Sequence, residues 1–190
     1  MIKYLSENIT AFFIYKEIIN HEEKDIFVYG LHLIISSIIG IAIILTIGLS
    51  INRMIDTLVF LFVFISVRTY SGGYHASTYT KCNLTLISIY LIIIIATNIV
   101  PIKYLNALSH CTVITTILIV LKYAPIENKN KKLTILQKKT NKRISLFLIY
   151  LDYSIALIFF RIGMQFSHTI ILTLILISIL ILVKSKEVIT

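Results

Sequence analysis

Apolar residues in this chain come in long continuous runs separated by short polar stretches. The runs are continuous rather than alternating, which predicts membrane-spanning α-helices rather than barrel strands. A helix crosses the hydrocarbon core in about 20 apolar residues. On that measure the pattern predicts six spans, over residues 30–51, 54–67, 84–100, 107–121, 144–162 and 168–183. The second is short and carries Asp56 near its start. The connections are an Asn52-Arg53 turn, a polar stretch at 68–82, a short link at 102–106 after Pro101, a basic loop at 122–143 with Pro125, and a turn at 163–167. Residues 1–29 read as an interfacial amphipathic helix. Ile2, Leu5, Ile9, Phe12 and Phe13 share one helical face and Lys3, Ser6, Glu7 and Asn8 lie elsewhere, a pattern that degrades after Tyr15. The fold class is therefore all-α: a polytopic membrane protein forming one integral domain over 1–190, without an internal repeat.

Composition agrees. Of 190 residues 57% are hydrophobic and only 14% charged, whereas a soluble domain has about 25% charged residues. The formal net charge is +9. In a soluble protein that excess suggests nucleic acid. Here the basic residues flank apolar runs, so topology and anionic membrane lipid account for them, and nucleic acid is not expected as a partner. With the N-terminus in the cytoplasm, only Arg53 and Lys103 fall outside and Arg161 lies near the outer end of the fifth span. Every other Lys and Arg falls inside. This asymmetry puts both termini and the 68–82 stretch on the cytoplasmic side. Cys82 and Cys111 make no disulfide framework. Five acidic residues before position 30 and the lack of a short apolar core argue against a cleaved secretion signal.

The polar stretch Arg68-Thr69-Tyr70-Ser71-Gly72-Gly73-Tyr74-His75-Ala76-Ser77-Thr78-Tyr79-Thr80-Lys81-Cys82 carries the candidate chemistry. A thiolate is the nucleophilic form of cysteine, and a free thiol has a pKa of about 8.5. His75 is placed to take the proton of Cys82, and Arg68 and Lys81 add positive potential that favours the anion. On one unbroken helix, residues seven apart differ in height by about 10.5 Å, beyond a hydrogen-bond reach of roughly 3 Å. The chain between His75 and Cys82 must therefore bend for the two to act together. Gly72-Gly73 makes irregular backbone easy, and Ser77, Thr78 and Thr80 are weak helix formers. Backbone N–H groups freed in such a bend are candidates for an oxyanion hole. The spacing alone also fits a small buried thiol beside a loop histidine.

Other residues read more plainly. Ser71 is a rival nucleophile but is better taken as a polar loop residue. Asp152 lies inside a span, where an acid pairs or lines a polar cavity; orienting His75, receiving Arg68 and a structural pairing are all open. Adjacent residues His110 and Cys111 point apart on a helix and read as packing. Zinc needs three or four ligands; His75 and Cys82 supply two, so a metallopeptidase is disfavoured. His21, His32 and His168 sit near span ends. The basic loop, including Lys129, Lys131, Lys132, Lys138, Lys139, Lys142 and Arg143, is mainly a topology determinant and a candidate for steering an acidic partner.

The pattern Arg-x-x-x-Gly-Gly-x-His-Ala-x-x-x-x-x-Cys, placed after two spans, resembles the accessory gene regulator B (AgrB) family. Tyr123-Ala124-Pro125, opening the basic loop, is also similar to that family. The resemblance covers most of the chain in layout and two stretches in motif. It implies a Gram-positive, multi-pass cell-membrane cysteine endopeptidase that matures a quorum-sensing propeptide. That propeptide has an amphipathic leader, a signal segment with its own Cys or Ser, and an acidic tail. The implied roles are nucleophile for Cys82 and general base for His75. Cleavage would leave the signal segment as a thioester, which the substrate's own thiol or hydroxyl closes to a thiolactone or lactone autoinducing peptide. Arg68 and Gly73 match motif positions: site organisation or tail binding for Arg68, the turn for Gly73, with Gly72 the alternative. The resemblance further implies a homodimer and no cofactor. A small transporter or peptide-export component is the competing class and would depend on Asp152. A membrane scaffold for a sensor kinase would need neither His75 nor Cys82.

Overall fold

A computed structural model describes residues 2–72, 79–127, 133–164 and 166–189, leaving aside the side chains of 79, 102, 103, 105–108 and 186–189. The described residues form seven α-helices and no strand: α1 Ile2–Tyr15, α2 Lys24–Ser50, α3 Met54–Ser71, α4 Tyr79–Ile99, α5 Ile102–Tyr123, α6 Ile135–Arg161 and α7 Phe166–Ile189. A short 3-10 turn, His21–Glu23, leads into α2. Five helices (α2, α3, α4, α6 and α7) are long and apolar enough to cross a membrane. α5 is 22 residues long, and its described side chains form the shorter apolar helix Ser109–Tyr123. These helices fit a multi-pass membrane protein.

Several helix boundaries differ from the hydropathy reading. Apolar runs mark what can enter lipid, while the helical backbone continues into flanking polar sequence. α6 begins at Ile135, inside the expected loop, because Thr134 and Gln137 form a capping box. Gln137 N–H donates to Thr134 Oγ1 at 3.2 Å, and Thr134 N–H donates to Gln137 Oε1 at 2.9 Å. Arg68–Ser71 belong to α3, Cys82 belongs to α4, and the expected link at 102–106 is the start of α5. Residues 1–29 are not one helix: α1 stops at Tyr15 and α2 starts at Lys24. α1 packs on α2 and buries Ser6 and Thr10, whose hydroxyls donate to the Ile2 and Ser6 carbonyls. Tyr4, Leu5, Phe12 and Tyr15 remain exposed.

α7 is the central helix, packed against α3, α4, α5 and α6. Within its span 56% of residues are buried, against 22% for α2. Ile170, Leu174, Ile177 and Ile181 form its inner stripe. Hydroxyl contacts tie the bundle internally. Thr57 meets Tyr90 at 2.6 Å and Thr116 meets Ser178 at 2.8 Å, and such bonds contribute about 0.6–2 kcal/mol each in a membrane protein. Gly48 lets α2 approach α3, since a Cβ there would overlap the Thr57 side chain.

The Asn52-Arg53 turn forms as expected. Asn52 takes a positive φ of 55° and Arg53 N–H returns to the Gly48 carbonyl at 2.9 Å. Arg53 pairs with Asp56 at 3.1 Å and donates to Thr97, while Thr169 donates to Asp56. This polar cluster closes one end of the bundle. Because consecutive helices reverse, the other end gathers the start of α2, the end of α3, the start of α4, the end of α5 and the start of α6.

Candidate active site

Those five helix ends surround a cavity of about 480 Å³. Its geometry starts from the last turn of α3. Gly72 N–H closes that helix on the Arg68 carbonyl at 3.0 Å, and Gly72 then adopts φ 70°, ψ −155°, a region open to glycine and strained for other residues. The next contact is long-range. Ile126 N–H donates to the Ser71 carbonyl at 3.0 Å, so the segment after α5 lies directly on the end of α3. A Cβ at Gly72 would overlap the Ile126 carbonyl oxygen. Glu127 secures this segment from the other side, accepting from Leu133 N–H at 2.8 Å and pairing with Lys138 of α6 at 3.1 Å.

Cys82 lies in the first turn of α4, half-buried, and lines the cavity. Arg68 reaches the same cavity from the last turn of α3. Its guanidinium sits 5.1 Å from the centroid of the Phe64 ring and interacts electrostatically with Cys82. Helix ends add to this field: the positive N-terminus of α4 is at the thiol, and the negative C-terminus of α3 is at the arginine. Asn83 stands beside Cys82 and ties α4 to α2, donating from Nδ2 to the Ser36 carbonyl at 3.1 Å.

The structure thus brings together Arg68, Gly72 and Cys82 of the sequence-derived set. Lys81 is exposed and does not line the cavity. Asp152 is 1% exposed, on the inner face of α6 with Ser145, Ile149 and Ala156, and does not line it either. His75 and Gly73 lie outside the described residues, as do Lys129, Lys131 and Lys132 of the basic stretch. α3 ends at Ser71 and α4 begins at Tyr79, so no described helix runs from the Gly-Gly pair to Cys82. Ser71 is buried, and its hydroxyl donates to the Gly72 carbonyl. His110 Nδ1 is hydrogen-bonded to the Tyr153 hydroxyl across α5 and α6, and Cys111 is exposed. Among the described residues no three His, Cys, Asp or Glu side chains cluster as a metal site.

Two parts of the cavity wall were not read from the sequence as site residues. One is Pro125-Ile126-Glu127, signalled only by the Tyr123-Ala124-Pro125 motif just before it. The other is the α2 face carrying Tyr29, Leu33, Ser37 and Ile41, which nothing in the sequence marks out from lipid-facing residues.

Comparison with known proteins gives a consistent answer. The chain matches the family described as Accessory gene regulator B over residues 1–183. It is 27% identical over 184 residues to a protein of Clostridium perfringens strain SM101 named "Putative AgrB-like protein", covering 92% of this chain and 84% of that one. It is 26% identical over 166 residues to "Putative AgrB-like protein 2" of C. perfringens strain 13, covering 82% of this chain and 78% of that one. No solved structure matches it significantly. The family match spans nearly the whole chain, the cavity-lining segments included, and the chain belongs to the accessory gene regulator B family.

Proposed function

We propose that the chain is a membrane cysteine endopeptidase that removes the C-terminal tail of a quorum-sensing propeptide and promotes its cyclisation. Family membership implies a role in autoinducing-peptide processing. The observation that carries the finer reading is the meeting of Cys82 and Arg68 in one cavity, at the junction of two helix ends. Six spans, both termini and the cavity on the cytoplasmic side of a Gram-positive cell membrane, α1 lying in the lipid interface and a homodimeric assembly belong to the same proposal.

The chemistry balances without a cofactor. His75 takes the Cys82 thiol proton, and Sγ attacks the carbonyl joining signal segment and tail. The C–N bond breaks, His75 returns the proton to the leaving amine, and the tail departs. The signal segment is then a thioester on Cys82. A thiol or hydroxyl within the substrate, deprotonated by His75, attacks that carbonyl. The C–S bond breaks, Cys82 regains a proton, and a thiolactone or lactone results. Water must stay out of the second step, or the acyl-enzyme hydrolyses to a linear peptide. A recess between helix ends suits that requirement. Arg68 organises the charge around the sulfur, and the Gly72–Ile126 contact holds the end of α3 in place.

The test is a cleavage assay in membranes with a propeptide from the adjacent reading frame, tagged at its C-terminus. Wild type is expected to release the tail and to form a hydroxylamine-sensitive adduct. Cys82→Ala and His75→Ala are expected to release none. Tail release by Cys82→Ala would place the nucleophile elsewhere. The transporter reading expects no cleavage by any form.

A further inference from the structure

The cavity beside Cys82 has a chemical bias along its walls. Further along α2, α3 and α4 it is lined by Leu33, Ile41, Phe64, Ile65 and Leu86, with Ser37, Asn83 and Thr85 as uncharged polar residues among them. The amide of Asn83 in that wall donates one N–H to the Ser36 carbonyl. This anchoring also sets the wall's shape. Gly40 sits so close that an added Cβ would stand 2.9 Å from Asn83 Oδ1, and α2 is thereby held against the first turn of α4. Among the described residues the ionic lining groups are Arg68 and Glu127, of opposite sign. Lys138, Lys139, Lys142 and Arg143 lie outside the lining.

From this division we infer that the α2–α3–α4 recess is the seat for apolar side chains on the acyl side of the scissile bond, and that Leu33, Ser37 and Ile41 of α2 select them. The inference rests on the peptidase reading above. An acyl chain attached to Cys82 must occupy space contiguous with Sγ, and the apolar recess is contiguous with it. Binding sites of this kind are typically 300–1,000 Å³, mostly apolar, with a few polar groups that orient the ligand; a cavity of about 480 Å³ holds a few side chains rather than a long segment. An acidic leaving segment gains little from such walls and is better served by the basic start of α6. Seating the acyl side here also keeps the thioester carbonyl dry after the tail has gone.

The test uses peptidyl chloromethyl ketones, which alkylate a thiol with loss of chloride and need neither the natural substrate nor a completed reaction. In a Cys111→Ser background Cys82 is the sole thiol, and its alkylation is followed by mass spectrometry of the full chain in lipid nanodiscs. A Leu-Leu chloromethyl ketone is expected to react at least tenfold faster than an Asp-Asp one. Leu33→Trp and Ser37→Trp, each filling the recess, are expected to remove that advantage while iodoacetamide, too small to need the recess, still labels Cys82 within twofold. Equal rates for the two ketones overturn the inference. So does an advantage that survives both tryptophan variants. A hexadecyl chloromethyl ketone matching the Leu-Leu rate would mark the recess as a lipid site and also overturn it. Loss of the apolar preference in protein that still releases the propeptide tail would remove this inference and leave the peptidase reading standing.

Discussion

The backbone N–H of Ile126 donates to the carbonyl of Ser71 at 3.0 Å, joining the chain after α5 to the last turn of α3 across more than fifty residues. This bond explains Gly72. The helix must end under Ile126, the next residue has φ 70°, and a side chain there would collide with the Ile126 carbonyl.

Gly72→Ala is therefore expected to be costly and Gly163→Ala mild. Both glycines have positive φ, which costs roughly 1–3 kcal/mol for alanine. Only Gly72 adds an overlap, because nothing lies within 4 Å of a Cβ at Gly163. Thermal unfolding in detergent should show the larger fall for Gly72→Ala, together with loss of tail release. Equal shifts for the two variants would contradict the Ile126 contact.

Arg68 lies over the Phe64 ring and shares a cavity with Cys82. Arg68→Ala should slow iodoacetamide labelling of Cys82, the sign expected when a nearby cation is removed from a thiol. Arg68→Lys should fall between, since lysine keeps the charge and loses the planar stack. An unchanged labelling rate in Arg68→Ala would show that the arginine is purely structural.

The capping box at the start of α6 predicts a local effect. Thr134→Ala should weaken that helix start by ~1 kcal/mol, visible as faster amide hydrogen exchange at residues 135–138. The thermal midpoint should move little, because α6 is held in the bundle by the buried face around Ile149 and Ala156. A cooperative loss of the whole of α6 would contradict this.

Asp152 separates the enzyme from the transporter. It is buried on α6, away from the cavity that holds Cys82. Asp152→Asn keeps shape and polarity, and tail release should stay within about threefold of wild type, a change of ~0.7 kcal/mol or less. Abolished release in a variant that folds normally would give Asp152 a direct part.

Much of this molecule was legible along the chain. The spans follow from apolar runs, because the thickness of hydrocarbon sets a minimum length. Asn52-Arg53 reads as a turn because so little polar sequence separates two runs there. Arg68, Gly72 and Cys82 were picked out by residue type and spacing, and they do share one cavity. Leu33 and Ile41 were not legible. A residue facing lipid and a residue facing another helix are both apolar, so hydropathy carries no information on which face of α2 meets the site. Nor was the start of α6, where a capping box begins the helix in polar sequence before any apolar run.

The all-helical class, the presence of helices apolar enough to cross a membrane and the candidate nucleophile were thus legible in the sequence itself, since each depends on local transfer energies and on side-chain chemistry. The tertiary structure alone decided that α2 forms a wall of the cavity, that the segment after α5 lies on the end of α3, that Gly72 takes a glycine-only conformation under Ile126, and that Asp152 stands apart. The first three rest on a close approach between distant segments: Ser36 with Asn83, Ser71 with Ile126. Such approaches are set by how helices pack when lipid and protein interior are equally apolar, and no pattern along the chain encodes them locally.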